Sequence, residues 1–413
     1  MSPLGVVILI VLVDLLGFSI VMPLLAPFAQ QYGFSGLQIG LLFAAYPMCQ
    51  LVAGPILGRL SDRYGRRPLL IVSQAGTALS FLILGLSSNF TVMLLARMLD
   101  GASGGNILVA QAYVADVTKP EHRSRGMGLI GMAFGLGFVL GPLLAGLLLG
   151  LPVSPAWRLR LPFLVAAAFS TLAWILVLTR LPESRTGDGA RSAARVLSLR
   201  GLGDTVRLPK VGPLVLLGAL SVLAFATLEG TFSLYLKGRF EWSPRQAAFG
   251  FAFLGLVSAL VQGGLIRRLV PRLGEPRLIL TGLATLAAGM AALAVVGSGP
   301  ALVGATLIVG VGQGLTSPTI SGLLSRVTPA SEQGAVFGTF SSAQTLSRMV
   351  SYTVANLILA RVGPAGPYWA ASAIAAVALV LAILVVGPMG KPDVDRDFDD
   401  SDRASAEVVA PRS

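Results

Sequence analysis

Three acids, Asp14, Asp100 and Glu229, stand inside long apolar runs, where a carboxylate binds either a proton or a counter-charge. A charged side chain at membrane depth costs about 2.5–3.5 kcal/mol on insertion scales, so each acid must face a partner or a wet cavity. Arg97 precedes Asp100 by three residues and shares its helical face. It pairs with Asp100, pairs with Asp14, or meets a substrate directly. Asn106 continues the same polar track. In the second half Glu229 is the one acid at depth, flanked by Thr227, Thr231, Ser233 and Tyr235. Its own helix offers no basic residue within a turn, so Glu229 is the expected main proton carrier. Arg97 is expected to hold Asp14 and Asp100 ionised. Gln313 and Arg348 complete the polar set, and Arg348 is the residue that would neutralise Glu229 if the two met. Burial disfavours a carboxylate's charged form, so such a group takes a proton on one side of a membrane and releases it when rehydrated on the other.

Covalent catalysis finds no support. The chain has one histidine, His122, in a basic loop, and one cysteine, Cys49, in an apolar run. Neither a metal-ligand cluster nor a phosphate-cradling Gly-rich loop is present in the sequence, so a non-enzyme without cofactor or metal is expected. An ion gradient is then the energy source. Only 12% of the residues are charged, where a soluble domain has about a quarter, and the mean hydropathy is +0.79. The net charge of +12 does not mark a nucleic-acid binder. Its arginines gather in alternate loops, at 59–67, 119–125, 180–210 and 267–277, which is the pattern of cytoplasmic retention.

About 20 apolar residues span a bilayer as a helix. The chain divides into twelve such runs, at 4–27, 37–57, 68–87, 91–115, 126–150, 159–182, 211–236, 244–266, 276–296, 299–325, 334–361 and 366–388. The expected fold is an all-α membrane protein of two six-helix bundles, 1–182 and 211–390, joined by a cytoplasmic linker at 183–210. An acidic, disordered tail follows from 391, and both termini lie in the cytoplasm. Lys237, Arg239 and Arg245, around the loop after the seventh run, mildly break the charge pattern. A monomer without a cleavable signal is expected.

The stretch from 58 to 70, GRLSDRYGRRPLL, is a polar turn between the second and third runs, with Asp62 and Arg66 four residues apart. Its residues Gly58, Asp62, Arg63, Gly65, Arg66 and Arg67 resemble motif A of the major facilitator superfamily of membrane transporters. The stretch GFVLGPLLAG, with Gly137, Gly141, Pro142 and Gly146, resembles motif C, which marks the antiporter branches. Within the superfamily the chain is most similar to twelve-helix drug:proton antiporters on a tetracycline-efflux-like scaffold. That resemblance implies export of amphipathic or lipophilic small molecules from a bacterial inner membrane, driven by protons, as in multidrug efflux and antibiotic resistance. It further implies a cytoplasmic gate in which Asp62 meets the start of the eleventh segment and Arg66 or Arg67 reaches Asp116. The chain departs from the tetracycline exporters at three positions. Ser80, Ser258 and a small residue near 288 stand where they carry an acid, a histidine and an acid, which argues against a metal–tetracycline chelate as cargo. A lipid or sugar-conjugate transporter is the alternative that Arg348 raises, and a non-transporting receptor or scaffold is the other. An echo of the turn, Arg268-Leu-Val-Pro-Arg-Leu-Gly274, follows the eighth run with Pro271 in place of Asp62.

Overall fold

The computed structural model describes residues 3–118, 123–184, 211–329 and 332–387, and every regular element among them is helical. Hydrocarbon offers no water to backbone N–H and C=O groups, so a chain this apolar must close its hydrogen bonds within each segment. Twelve long helices do so. They are α1 (Pro3–Gln30), α2 (Gly36–Tyr64), α3 (Arg66–Leu86), α4 (Phe90–Val117), α5 (Arg123–Leu148) and α6 (Leu161–Arg180). The second set is α7 (Val211–Phe240), α8 (Pro244–Leu273), α9 (Glu275–Val295), α10 (Gly299–Val327), α11 (Gln333–Val362) and α12 (Gly366–Val385). All but α11 are apolar enough to cross a membrane by composition alone, and α11 is 30 residues long. His122, most of the expected linker and the tail from 391 lie outside the described residues.

The two sets repeat one plan. Ser35 and Ser243 open α2 and α8 with the same S-x-x-Q capping box, each serine accepting from the backbone N–H of the glutamine three residues on. The expected polar turn at 58–70 is shorter than its composition implies. Helix α2 runs on through Tyr64, and Gly65 alone separates it from α3. Gly274 does the same between α8 and α9. Both glycines have positive φ, 100° and 78°, a region that side-chain-bearing residues rarely adopt. Two helices depart from regularity. In α4 Gly104 and Gly105 interrupt the ladder, and in α8 residues Val261–Leu265 form a π turn at positions that align with Gly54 and Pro55 of the first repeat.

Contacts between the halves gather at the end of the molecule remote from Gly65. There Ser233 Oγ donates to Pro23 O at 2.7 Å and Lys237 Nζ to Gln30 Oε1 at 2.8 Å. Helices α2 and α11 approach backbone to backbone: a Cβ on Gly40 would lie 2.8 Å from Thr353 Cα and 2.9 Å from Tyr352 O. At the opposite end Gly58 of α2 and Gly334 of α11 face open space, with no atom within 4 Å of an added Cβ. The two bundles therefore close at one end and part at the other. The loop that broke the charge pattern belongs to the closed end. Arg239 Nε donates to Val296 O at 2.7 Å, satisfying the terminal carbonyls of α9, so its position follows from a cap.

Gly40→Val should wedge this closed end, because the atoms it meets are backbone and cannot rotate away. Spin labels at the remote ends of α2 and α11 should report a separation wider by on the order of 2 Å. An unchanged distance would mean that the closure does not rest on this approach.

Candidate functional site

The polar residues at depth form two clusters, one per half. In the first, Arg97 Nη1 donates to Asp100 Oδ2 at 2.6 Å, its Nε donates to Leu42 O at 3.3 Å, and its guanidinium lies 5.0 Å from the Tyr46 ring centroid. The side chains of this ion pair are 1% and 6% exposed, so the pair is closed off as a unit. The break in α4 turns Asn106 toward α1, where its Nδ2 donates to Asp14 Oδ2 at 2.5 Å and to Gln74 Oε1 at 3.3 Å. No ion pair among the described residues reaches Asp14. Its Oδ1 is buried without a hydrogen-bond partner. Beside it lies a cavity of about 20 Å³ lined by Asp14, Tyr46, Thr77, Asp100 and Asn106. That volume holds one water, and the walls supply the polar partners a water needs.

In the second cluster Glu229 accepts from Arg348 Nη1 at 3.0 Å and 2.7 Å and from the Tyr352 hydroxyl at 2.9 Å. This pair, left open by the sequence, weighs against the expectation of Glu229 as the main proton carrier. The residue that neutralises it comes from α11, not from its own helix, and within-helix spacing carries no signal for it. The reading of Asp14 as held ionised by Arg97 is corrected as well, because Arg97 is spent on Asp100. Gln313 is buried in α10, and no hydrogen bond joins it to Glu229 or Arg348.

The glycines of the motif C-like stretch divide their work. Gly137 and Gly141 face α1, where a Cβ would meet Leu15 and Ser19, and Ser19 Oγ donates to Gly137 O at 2.7 Å. Gly146 faces Phe249 of α8, across the boundary between halves, and Pro142 lies within the same helix.

At the Gly65 end, Arg66 is the hub. It meets Asp62 at 2.7 Å, Ser61 Oγ at 2.6 Å and Asp116 Oδ2 at 3.1 Å. Arg63 lies 5.3 Å from the ring centroid of Tyr64, and Arg67 Nη2 donates to Leu178 O at 2.8 Å. Glu183, just past α6, was not singled out by sequence. Its carboxylate accepts the backbone N–H groups of Arg66 and Arg67 at 2.9 Å and 3.1 Å, placing a negative charge on the positive end of α3.

The second half answers with inverted polarity. Aligning Gly65 with Gly274 puts Glu275 where Arg66 stands, and the Asp116-Val117-Thr118 ending of α4 matches Arg326-Val327-Thr328 of α10. Arg326 Nε meets Glu275 Oε1 at 3.3 Å, so the same positions are paired with the charges exchanged. Glu275 is the first residue of α9, so its charge sits at the positive end of its own helix, without the backbone hydrogen bonds that Glu183 makes to α3.

The chain matches the Major Facilitator Superfamily over residues 7–351 and again over 265–409. It belongs to that family. The tetracycline resistance protein of class B from Escherichia coli is 29% identical over 337 residues, covering 81% of this chain and 82% of its own length. The class G protein of Vibrio anguillarum is 30% identical over 352 residues, 83% of this chain and 86% of that one. Among solved structures, the human organic anion transporter MFSD10 superposes with a TM-score of 0.68 at 27% identity, over 92% of this chain and 98% of that chain. The chain is thus a multi-pass membrane transporter, and the similar proteins are transporters rather than enzymes.

Glu275→Arg should leave Arg326 facing a like charge and lower the midpoint of thermal unfolding in detergent, by the equivalent of about 1–3 kcal/mol. Glu275→Arg with Arg326→Asp recreates the first-half polarity and should recover part of that loss. Recovery stays partial because the α9 N-terminus then meets a cation. A double variant no more stable than the single one would show that the two residues act independently.

Proposed function

We propose that this chain is a proton-coupled antiporter that exports amphipathic or lipophilic small molecules across a bacterial inner membrane by alternating access. The observation that carries the reading is Asp14, an acid in α1 held by an amide and beside a water-sized cavity, with no cation on it. Glu229 and Asp100 each have an arginine at 2.6–2.7 Å, so neither needs a proton to stay buried. Asp14 therefore replaces Glu229 as the principal proton site. A receptor that moves nothing has no use for such a group. Drug efflux is supported by the likeness to tetracycline resistance proteins and by the motif C-like glycines packed on α1.

The arginines around Gly65 assign that end, and both termini, to the cytoplasm by the positive-inside rule. The molecule is then closed outside and open inside. In this state Asp62 rests on Arg66 and lies 43% exposed. In the opposite state the inner ends of α2 and α11 meet. Asp62 is then placed to accept from the unpaired first-turn N–H groups of α11, worth about 0.3–1 kcal/mol at the surface.

Proteoliposomes loaded with a pH-sensitive dye test the coupling. An outward-directed substrate gradient should drive protons inward in the wild type. Asp14→Asn should abolish that proton flux while leaving substrate counterflow, which needs no net proton movement. Undiminished flux in Asp14→Asn returns the role to Asp100 or Glu229.

Asp62→Asn should shift the population toward the inward-open state and slow turnover without loss of substrate binding. Spin-label distances between the inner ends of α2 and α11 decide the matter, and an unchanged distribution leaves the turn as a topology signal alone.

A further inference from the structure

We propose that the polar face of α11, running from the Gly65 end to Arg348, takes an anionic amphipath, its acidic head docking on the free edge of the Arg348 guanidinium. The inference rests on the exporter reading and names the substrate class of that site. Arg348 gives Nη1 to Glu229 and lies beside the Tyr352 hydroxyl, while no hydrogen bond of good geometry from Nε or Nη2 reaches a described residue. Those two nitrogens are not among the buried unpartnered atoms, and the side chain is 28% exposed, against 5% for Glu229.

That exposure is toward the interior of the molecule. Leu346, Val350 and Val354, 43–48% exposed, mark the outer face of α11. At 100° per residue Arg348 lies on the opposite side of the helix from them. Its face continues toward the open end through Gln344 and Ser341, four and seven residues earlier. Exposure falls along that track, from exposed Ser341 through half-buried Gln344 and Arg348 to Tyr352 at 1%. The track is a polar path with Arg348 at its blind end.

The chemistry of the blind end selects an anion. The Nε–Nη2 edge is a planar fork of two parallel donors with no acceptor, matched to a carboxylate, sulfonate or phosphate. Glu229 is covered by Arg348 and Tyr352, and the Arg97–Asp100 pair is sealed, so neither carboxylate competes as a docking point for a cation. Phe225 stands one turn before Glu229 on α7, half-buried on the same face, and supplies an apolar wall for the body of the ligand.

The test uses purified protein in detergent and three fluorescent probes sharing one dansyl-octyl body. One ends in a carboxylate, one in a neutral amide and one in trimethylammonium. Equilibrium titration of the wild type should rank carboxylate over amide by about tenfold or more, with the ammonium weakest. Removing Arg348 alone strands a buried carboxylate, so the decisive variant is Glu229→Gln with Arg348→Met, which deletes both charges together. It should bind carboxylate and amide alike. Arg348→Lys keeps the charge without the fork and should fall between. Equal binding of the three probes by the wild type overturns the proposal, as does a preference for the ammonium or a carboxylate preference surviving in the double variant. No gradient enters the measurement. A protein that fails to couple protons would still show the preference, and a working antiporter without it would sink only this inference.

Discussion

Well inside its twelve helices the chain carries three carboxylates and two guanidiniums: Asp14, Asp100 and Glu229 against Arg97 and Arg348. A low-dielectric interior has little tolerance for net charge, because the cost of a lone ion there exceeds what packing returns. The geometry resolves the imbalance by assignment. Arg97 takes Asp100, Arg348 takes Glu229, and three minus two leaves Asp14 with an amide and a cavity. On the proposed reading the proton is the missing third cation. Its arrival makes the interior neutral, and its departure requires the site to be wetted.

Helix α2 ties the two clusters together within two consecutive residues. The carbonyl of Leu42 accepts from Arg97 Nε, and the ring of Phe43 lies 5.4 Å from that of Tyr352, whose hydroxyl donates to Glu229. One turn earlier, Gly40 brings the same helix onto the backbone of α11. A movement of α2 relative to α11 therefore changes what surrounds both ion pairs at once. Glycine sets how close this approach is, since any side chain at Gly40 would hold the backbones apart.

What the sequence revealed was mostly local. Twelve apolar runs, the helix-interrupting glycines and the arginine-rich turn are written in consecutive residues, and α11 shows how polar a long helix of this fold can be. Across helices the motif resemblance implied the Arg66–Asp116 pair, but the pairings at depth were not legible. Arg348 was visible as a charge at depth, but its choice of Glu229 depends on the packing of α7 against α11, for which one sequence holds no register. Glu183 escaped notice because it follows Pro182 at the edge of a basic linker and reads as a solvated charge. The Glu275–Arg326 pair was within reach. Extending the alignment of the two turns by one residue past Gly274 exposes the exchanged charge, and the Val-Thr ending shared by α4 and α10 locates its partner.

That exchange bears on why the halves are not mechanically equal. In the first half the hub is a cation, and it serves two acids from different helices, so Asp62 is held by one contact of a shared arginine and remains 43% exposed. In the second half the hub is Glu275, 6% exposed and committed to α9 and α10, with Pro271 where a second acid would stand. A carboxylate that is exposed, singly held and at a helix end can transfer from Arg66 to the N–H groups of α11 at small cost. A buried one already paired to Arg326 cannot. On the proposed gating the first half carries the movable contact and the second half the fixed frame. The same division holds at depth, where the first half has the unpaired acid and the second has its acid locked.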